Sequence, residues 1–258
     1  MRIDVNTFLG SYPWRHVPGT SLADLRESLR IHQIDEAWVS HLPALFWKDP
    51  MAGNGWLVDT VASATELRPV PAVHPGLPGW EETLGWAMAS RVPAVRADPM
   101  LWGLAPDGEE MRALVQGCGA RNLPLVLAVR LEDGRQRHPM DHATDLPASA
   151  IRHLLRASDR TRFIVTHADR DTIEQVHFGS TGAESSRVLW DISWVWGPPE
   201  DHLETLLGTI GPERFVFGTG QPLRLPENAM AKLDLLDLPA GDRARIEAGN
   251  ILKLAGGE

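Results

Sequence analysis

Four apolar runs in the chain end in side chains able to do chemistry: Asn6 in Ile3-Asp4-Val5-Asn6-Thr7-Phe8, Arg96 in Ala94-Val95-Arg96-Ala97-Asp98, His167 behind Phe163-Ile164-Val165-Thr166, and Asp191 closing Val188-Leu189-Trp190-Asp191. His167 is a general acid or base suited to neutral pH. Asp191 would hold a water, and Asn6 would offer an amide donor. A cation at the end of an apolar run, as Arg96 is, must be paired or bind an anion. Together with Arg15 and Arg130 it would make a positive pocket whose planar guanidinium groups match a carboxylate. The equally simple alternative is internal ion pairing of these arginines with Asp98, Glu132 and Asp133.

The segment Arg130-Leu131-Glu132-Asp133-Gly134-Arg135-Gln136-Arg137-His138 concentrates charge. A carboxylate beside arginines stays ionised and fixed in direction, so Glu132 and Asp133 are candidate bases; a solvated loop is the structural alternative. His41 ends a further apolar run and joins Arg15, Arg96, Arg130, Trp14 and Trp102 as a candidate substrate-binding residue. Trp14, Trp47, Trp102, Trp194 and Trp196 all follow such runs, which suggests an apolar rim, though packing between loops would place them equally well. No Gly-x-Ser-x-Gly elbow is present, and Cys118 lies in a helical pattern as a small core residue.

Positioning these groups falls to short apolar runs alternating with amphipathic segments. The runs are 3–5, 36–40, 70–74, 94–97, 125–130, 162–166, 188–191 and 215–217. Helical spacing covers 21–32, 54–67, 80–90, 109–121, 148–157, 171–178, 201–210, 227–236, 242–248 and 251–254. Strand then helix, repeated over the chain, predicts a single-domain (β/α)8 TIM barrel spanning residues 1–258, with an open doubly wound sheet as the rival. No glycine-rich phosphate fingerprint follows a strand, which weakens the nucleotide-binding form of that rival. The long connections 42–53 and 131–146 would lie on the barrel's catalytic face.

The chain has 258 residues and a formal net charge of −9. That charge, with no concentrated basic patch along the chain, argues against nucleic acid or an anionic membrane as the main partner. A single cysteine excludes an intrachain disulfide, and with no leader pattern and no membrane-length apolar run the expectation is a cytoplasmic protein acting on a small molecule, a homo-oligomer being left open.

Several segments resemble the amidohydrolase-related barrels of the amidohydrolase 2 branch. Ile3–Gly10 is similar to that family's opening strand, with Asn6 and Phe8 where His-x-His is usual. Phe163–Ala168 resembles the sixth strand ending in its histidine, and Phe215–Pro222 the eighth-strand segment, with Gly220 at the aspartate position. Gly249–Leu254 is similar to the terminal segment. The resemblance covers essentially the whole chain and implies a barrel of hydrolase or decarboxylase ancestry.

Of the expected metal ligands only His167 is retained, and Arg130 ends the fifth run in place of a histidine or lysine. Relocated ligands would have to come from His41, His74, His167 and Asp191, or from His138, His142 and Asp141. The expectation is a hydrolase without a metal cofactor, a divalent ion such as zinc not being excluded. Its substrate would be a small carboxylated lactone or ester, since some relatives hydrolyse lactones without metal. The alternatives are a barrel that lost catalysis for a binding or assembly role, and a metal-dependent hydrolase or decarboxylase with relocated ligands.

Overall fold

The computed structural model describes residues 1–256. Eight strands alternate with helices: β1 (Ile3–Leu9), α1 (Leu22–Ile31), β2 (Glu36–His41), α2 (Met51–Val61), β3 (Leu67–Pro69), α3 (Trp80–Ala89), β4 (Val95–Ala97), α4 (Glu109–Ala120), β5 (Leu125–Ala128), α5 (Ala148–Ala157), β6 (Phe163–Thr166), α6 (Arg170–Phe178), α7 (Gly182–Ser185), β7 (Val188–Asp191), α8 (His202–Ile210), β8 (Phe215–Val216), α9 (Pro226–Leu235), α10 (Ala240–Ala244) and α11 (Asn250–Gly256). All pairings are parallel, in the order β1-β2-β3 and β4-β5-β6-β7-β8. A bridge between Ala72 and Arg96 joins the two runs. Backbone bonds from Val5 N to Phe217 O (3.0 Å), Phe8 N to Gln221 O (2.9 Å) and Gly220 N to Asn6 O (2.8 Å) join β1 to the segment after β8. The chain is therefore a closed (β/α)8 barrel, and the open doubly wound rival is set aside.

Sequence and structure differ where periodicity is weak. The third strand is regular over Leu67–Pro69 rather than 70–74, although Val70 and Val73 still donate to Val39 O and Arg96 O. Helix α2 begins at Met51, because the 42–53 connection contains a short 3-10 turn (Pro43–Phe46) and the helix's own first residues. The 242–248 segment divides into α10 and a π-helical turn, Arg245–Gly249.

One apolar layer, with Leu57, Leu84, Leu114, Ile151, Val176 and Leu206, lies between the strands and the helix ring. A second fills the barrel base, where Ile3, Val5, Val126, Ile164 and Val216 meet Ile251 and Leu254 of the tail. A third, around Phe8, Tyr12, Leu42, Leu45 and Leu131, lies beneath the loops at the strands' C-terminal ends. Polar side chains enter the interior between the second and third layers.

Candidate active site

At the C-terminal ends of β1, β4, β6 and β7 the fold brings Asn6, Arg96, His167 and Asp191 into one hydrogen-bonded cluster. All four are buried, with exposures of 1% or less. A register shift in β1 between Asp4 and Thr7 lets Asn6 point inward although Val5 also does. His167 has a left-handed backbone (φ 57°), unusual for a residue with a side chain. Its N–H donates to Asp191 Oδ1 at 2.9 Å.

Hydrogen bonding determines the protonation pattern. The carbonyl of Arg130 lies 2.7 Å from His167 Nδ1, and since a carbonyl only accepts, Nδ1 carries the proton. Nε2 is then an acceptor, 2.9 Å from Asn6 Nδ2. The second amide hydrogen of Asn6 goes to Asp191 Oδ2 at 2.8 Å. An –NH₂ group thus stands between a histidine nitrogen and a carboxylate oxygen, two acceptors that would otherwise suit a cation. Burial first, then the charges of Arg224 and Arg96, hold His167 well below the usual imidazole range, so it is neutral at pH 7. Burial also raises the Asp191 carboxyl, opposed by His167 N, by Ser193 Oγ at 2.8 Å from Oδ2, and by Asn6.

Arg96 is anchored by Asp98, with Nε 2.9 Å from Oδ2, and its guanidinium lies 4.7 Å from the centroid of the Phe8 ring. Its Nη1 reaches toward Asn6 Oδ1 at 3.5 Å, while Nη2 is buried with no hydrogen-bond partner among the described residues. Above His167 stands Trp194, its ring 5.8 Å away and edge-on. Arg224 lies over that indole at 3.4 Å and Arg130 at 5.2 Å. Arg224 has no salt-bridge partner among the described residues, and burial lowers its pKa although arginine stays charged. It sits in Leu223-Arg224-Leu225, eight residues past β8; a cation between two leucines was a visible signal that reading strand ends alone missed. Ser193 and Lys232 were missed too. Lys232 Nζ, on α9, donates to the carbonyls of Ile192 and Ser193 at 2.9 Å and so holds the loop behind Asp191.

The remaining sequence candidates lie elsewhere or are otherwise engaged. Arg15, Arg96 and Arg130 do not form an open positive pocket, because each is paired. Arg15 Nη2 meets Glu132 Oε1 at 2.6 Å, and Arg130 binds Asp145 and Asp169 at 2.8 Å each. Glu132 is therefore buried as an ion-pair partner. Asp133 clasps Arg135, its carboxyl held well below the usual range by that guanidinium. His41 packs against Trp47 and Trp56, outside the cluster, and burial pushes its imidazole down to about 4. Trp102 stacks on His74 and donates to Leu45 O, and Trp14 stacks on His138, so both close the rim rather than line the cluster. The cavity beside Asp98, Arg130 and Glu132 measures about 20 Å³, room for roughly one water.

No protein-family model matches the sequence, and no curated protein does. Solved structures match in fold over nearly the whole chain. A 5-carboxyvanillate decarboxylase from Sphingomonas paucimobilis is 13% identical, with a TM-score of 0.76 covering 99% of this chain and 98% of its own. A 2,6-dihydroxybenzoate decarboxylase from Rhizobium is 14% identical, with a TM-score of 0.75 covering 99% of each chain. A dihydroxybenzoic acid decarboxylase from Polaromonas, solved with bound manganese and 2-nitroresorcinol, is 14% identical, with a TM-score of 0.74 covering 99% of this chain and 96% of its own. At such identities the likeness establishes the shared fold alone: this chain carries the same (β/α)8 barrel as these decarboxylases.

The donor set at the cluster does not fit a metal such as the manganese bound in the Polaromonas structure. Phe8, Arg130 and Gly220 occupy three of the positions where the resemblance implies ligands, and none offers a side-chain donor to a cation. Among the described residues no three His, Cys, Asp or Glu side chains converge, so neither set of relocated ligands is assembled. Gly220 has φ 76°, and a Cβ there would lie 2.8 Å from His167 Nε2. The aspartate position is thus closed sterically as well as chemically.

Proposed function

We infer that the chain is a hydrolase of the amidohydrolase-type barrel class acting without a metal ion on a small carboxylated substrate, a lactone or ester. The observation that carries this reading is a neutral, tautomer-fixed His167 whose unprotonated Nε2 shares a buried cluster with an arginine nitrogen left without a partner. Arg224, on its indole platform, holds the substrate carboxylate. As substrate enters, the Asn6 hydrogen turns away from His167 Nε2; Nε2 then takes a proton from water as the water oxygen attacks the carbonyl carbon, and returns it to the leaving alkoxide. Arg96 Nη2, the donor without a partner, stabilises the oxyanion between those two events, joined by the Asn6 hydrogen that Nε2 has given up. Asp191 aligns Asn6 through Oδ2, and Ser193 fixes Asp191 in turn. Arg137 ties the loop 131–146 to itself through Asp145 and the carbonyls of Glu132 and Ala143, while the Arg15–Glu132 and Arg130–Asp145 pairs hold it to the rim, so substrate enters by displacing it.

A panel of carboxylated lactones and esters, assayed with metal-stripped protein, tests this reading. Turnover should survive stripping and fall at least about a hundredfold in His167→Gln and in Arg96→Gln, the second assayed where circular dichroism shows it folded, since it leaves Asp98 unpaired. Undiminished turnover in both variants, or activity that returns only on adding a divalent metal, would overturn it. The second reading, a barrel without catalysis, is favoured by the pairing of Arg15, Arg96 and Arg130 and by the roughly one-water cavity. It expects no turnover across the panel.

A further inference from the structure

The opposite end of the barrel carries a feature independent of the His167 cluster. Three adjacent strands each begin directly after an arginine: Arg162 before β6, Arg187 before β7 and Arg214 before β8. The backbone carbonyls of Arg162 and Arg187 are themselves part of the sheet, accepting from Leu125 N and Phe163 N, so the positions of these residues are set by the barrel. Their guanidinium groups donate only to neutral oxygens. Arg162 reaches Leu254 O and Asn122 Oδ1, Arg187 reaches Thr161 O (2.9 Å) and Leu155 O (2.6 Å), and Arg214 reaches Ser186 O (2.7 Å). Among the described residues none of the three has a carboxylate within salt-bridge distance; Glu184 and Asp159 act on Arg187 only from further off.

These arginines line a cavity of about 870 Å³ together with Arg160, Arg245 and Lys253, facing the single carboxylate of Glu213. Arg245 is offset by Asp242 at 2.8 Å; the others are not ion-paired among the described residues. Leu189 and Leu254 supply an apolar floor continuous with the basal core. A concentration of positive charge within a chain of net charge −9 creates a strong local field, and its size is that of a small-molecule site.

We propose that this basal cavity binds a small polyanion of the di- or triphosphate class. Guanidinium groups held at fixed spacing by the strands match phosphate oxygens, and their backbone bonds orient them before the ligand arrives. Duplex nucleic acid fits less well: it needs a long basic track rather than a concavity, and the remaining acidic surface would repel it.

Isothermal titration of the full chain with inorganic triphosphate, at constant ionic strength, tests the proposal. Saturable binding at one site is expected. The double variant Arg160→Gln/Lys253→Gln, whose side chains make no hydrogen bond within the described residues, should weaken it about tenfold or more, as should Arg214→Gln alone. Circular dichroism and the unliganded melting temperature report on the fold, and His167→Gln should bind triphosphate as the parent does. The proposal is overturned by absence of saturable binding, by unchanged affinity in both basal variants, by equal affinity for sulfate, or by tighter binding of a duplex oligonucleotide than of triphosphate.

Discussion

His167 and Asn6 illustrate how much of a site depends on single atoms. The Arg130 carbonyl selects the His167 tautomer, and burial beside arginines keeps the ring unprotonated, so its charge state is constant around neutrality. If His167 is the base, kcat/KM should be level between about pH 6 and 8 and fall only in more acid solution, where a depressed imidazole finally takes a proton. A pH–rate profile with an inflection near the ordinary imidazole value would contradict that assignment. Gly220 makes a second prediction. With φ 76° and His167 Nε2 only 2.8 Å from where a Cβ would lie, Gly220→Ala should cost about 2 kcal/mol in urea denaturation and shift the His167 ring resonances.

At the scale of an element, β4 shows why a cation can sit inside a barrel. Arg96 and Asp98 are two residues apart, so they project from the same side and pair at 2.9 Å with side-chain exposures of 2% and 4%. A buried pair recovers its desolvation cost only while both partners remain, so Asp98→Asn should destabilise the fold by about 3 kcal/mol. The double change Arg96→Met/Asp98→Leu should cost much less, and urea midpoints for the three proteins would separate the cases. This pairing was open to a reader of the sequence because the strand is short, apolar and interrupted only by its cation. The loop 131–146 was not. It has no periodicity from which to deduce facing, and two of its carboxylates took partners from other segments: Arg15 for Glu132, Arg130 for Asp145.

The whole molecule depends on closing β1 against the end of β8, and Asp4 stands at that seam. It accepts from Thr219 N, Thr219 Oγ1 at 2.6 Å, Gln221 Nε2 and Asn6 N, yet burial outweighs those bonds and raises its carboxyl to about 7. The native state therefore retains a proton that the unfolded chain releases near pH 4. Stability due to this group declines as pH rises from about 4 to 7 and is constant above that. Asp4→Asn should remove a few kcal/mol of that pH dependence, read from urea midpoints at the two ends of the window. An equal slope in both proteins would show that Asp4 does not titrate in that range.

Alternating apolar runs and amphipathic segments pointed to a (β/α)8 barrel, because each period is a local property, but only the backbone bonds joining β1 to the segment after β8 excluded an open sheet. Strand ends likewise disclosed Asn6, Arg96, His167 and Asp191, since a parallel barrel delivers such ends to one rim. Tertiary structure alone decided which of these groups touch, the pairing of Arg130 and Glu132, and the place of Arg224 above Trp194. It also gathered Arg162, Arg187, Arg214 and Lys253 from distant segments into one basal cavity, so the basic patch that the sequence did not show does exist in three dimensions. Composition averages charge along the chain, whereas the field at a surface depends on distances that exist only after the barrel has closed.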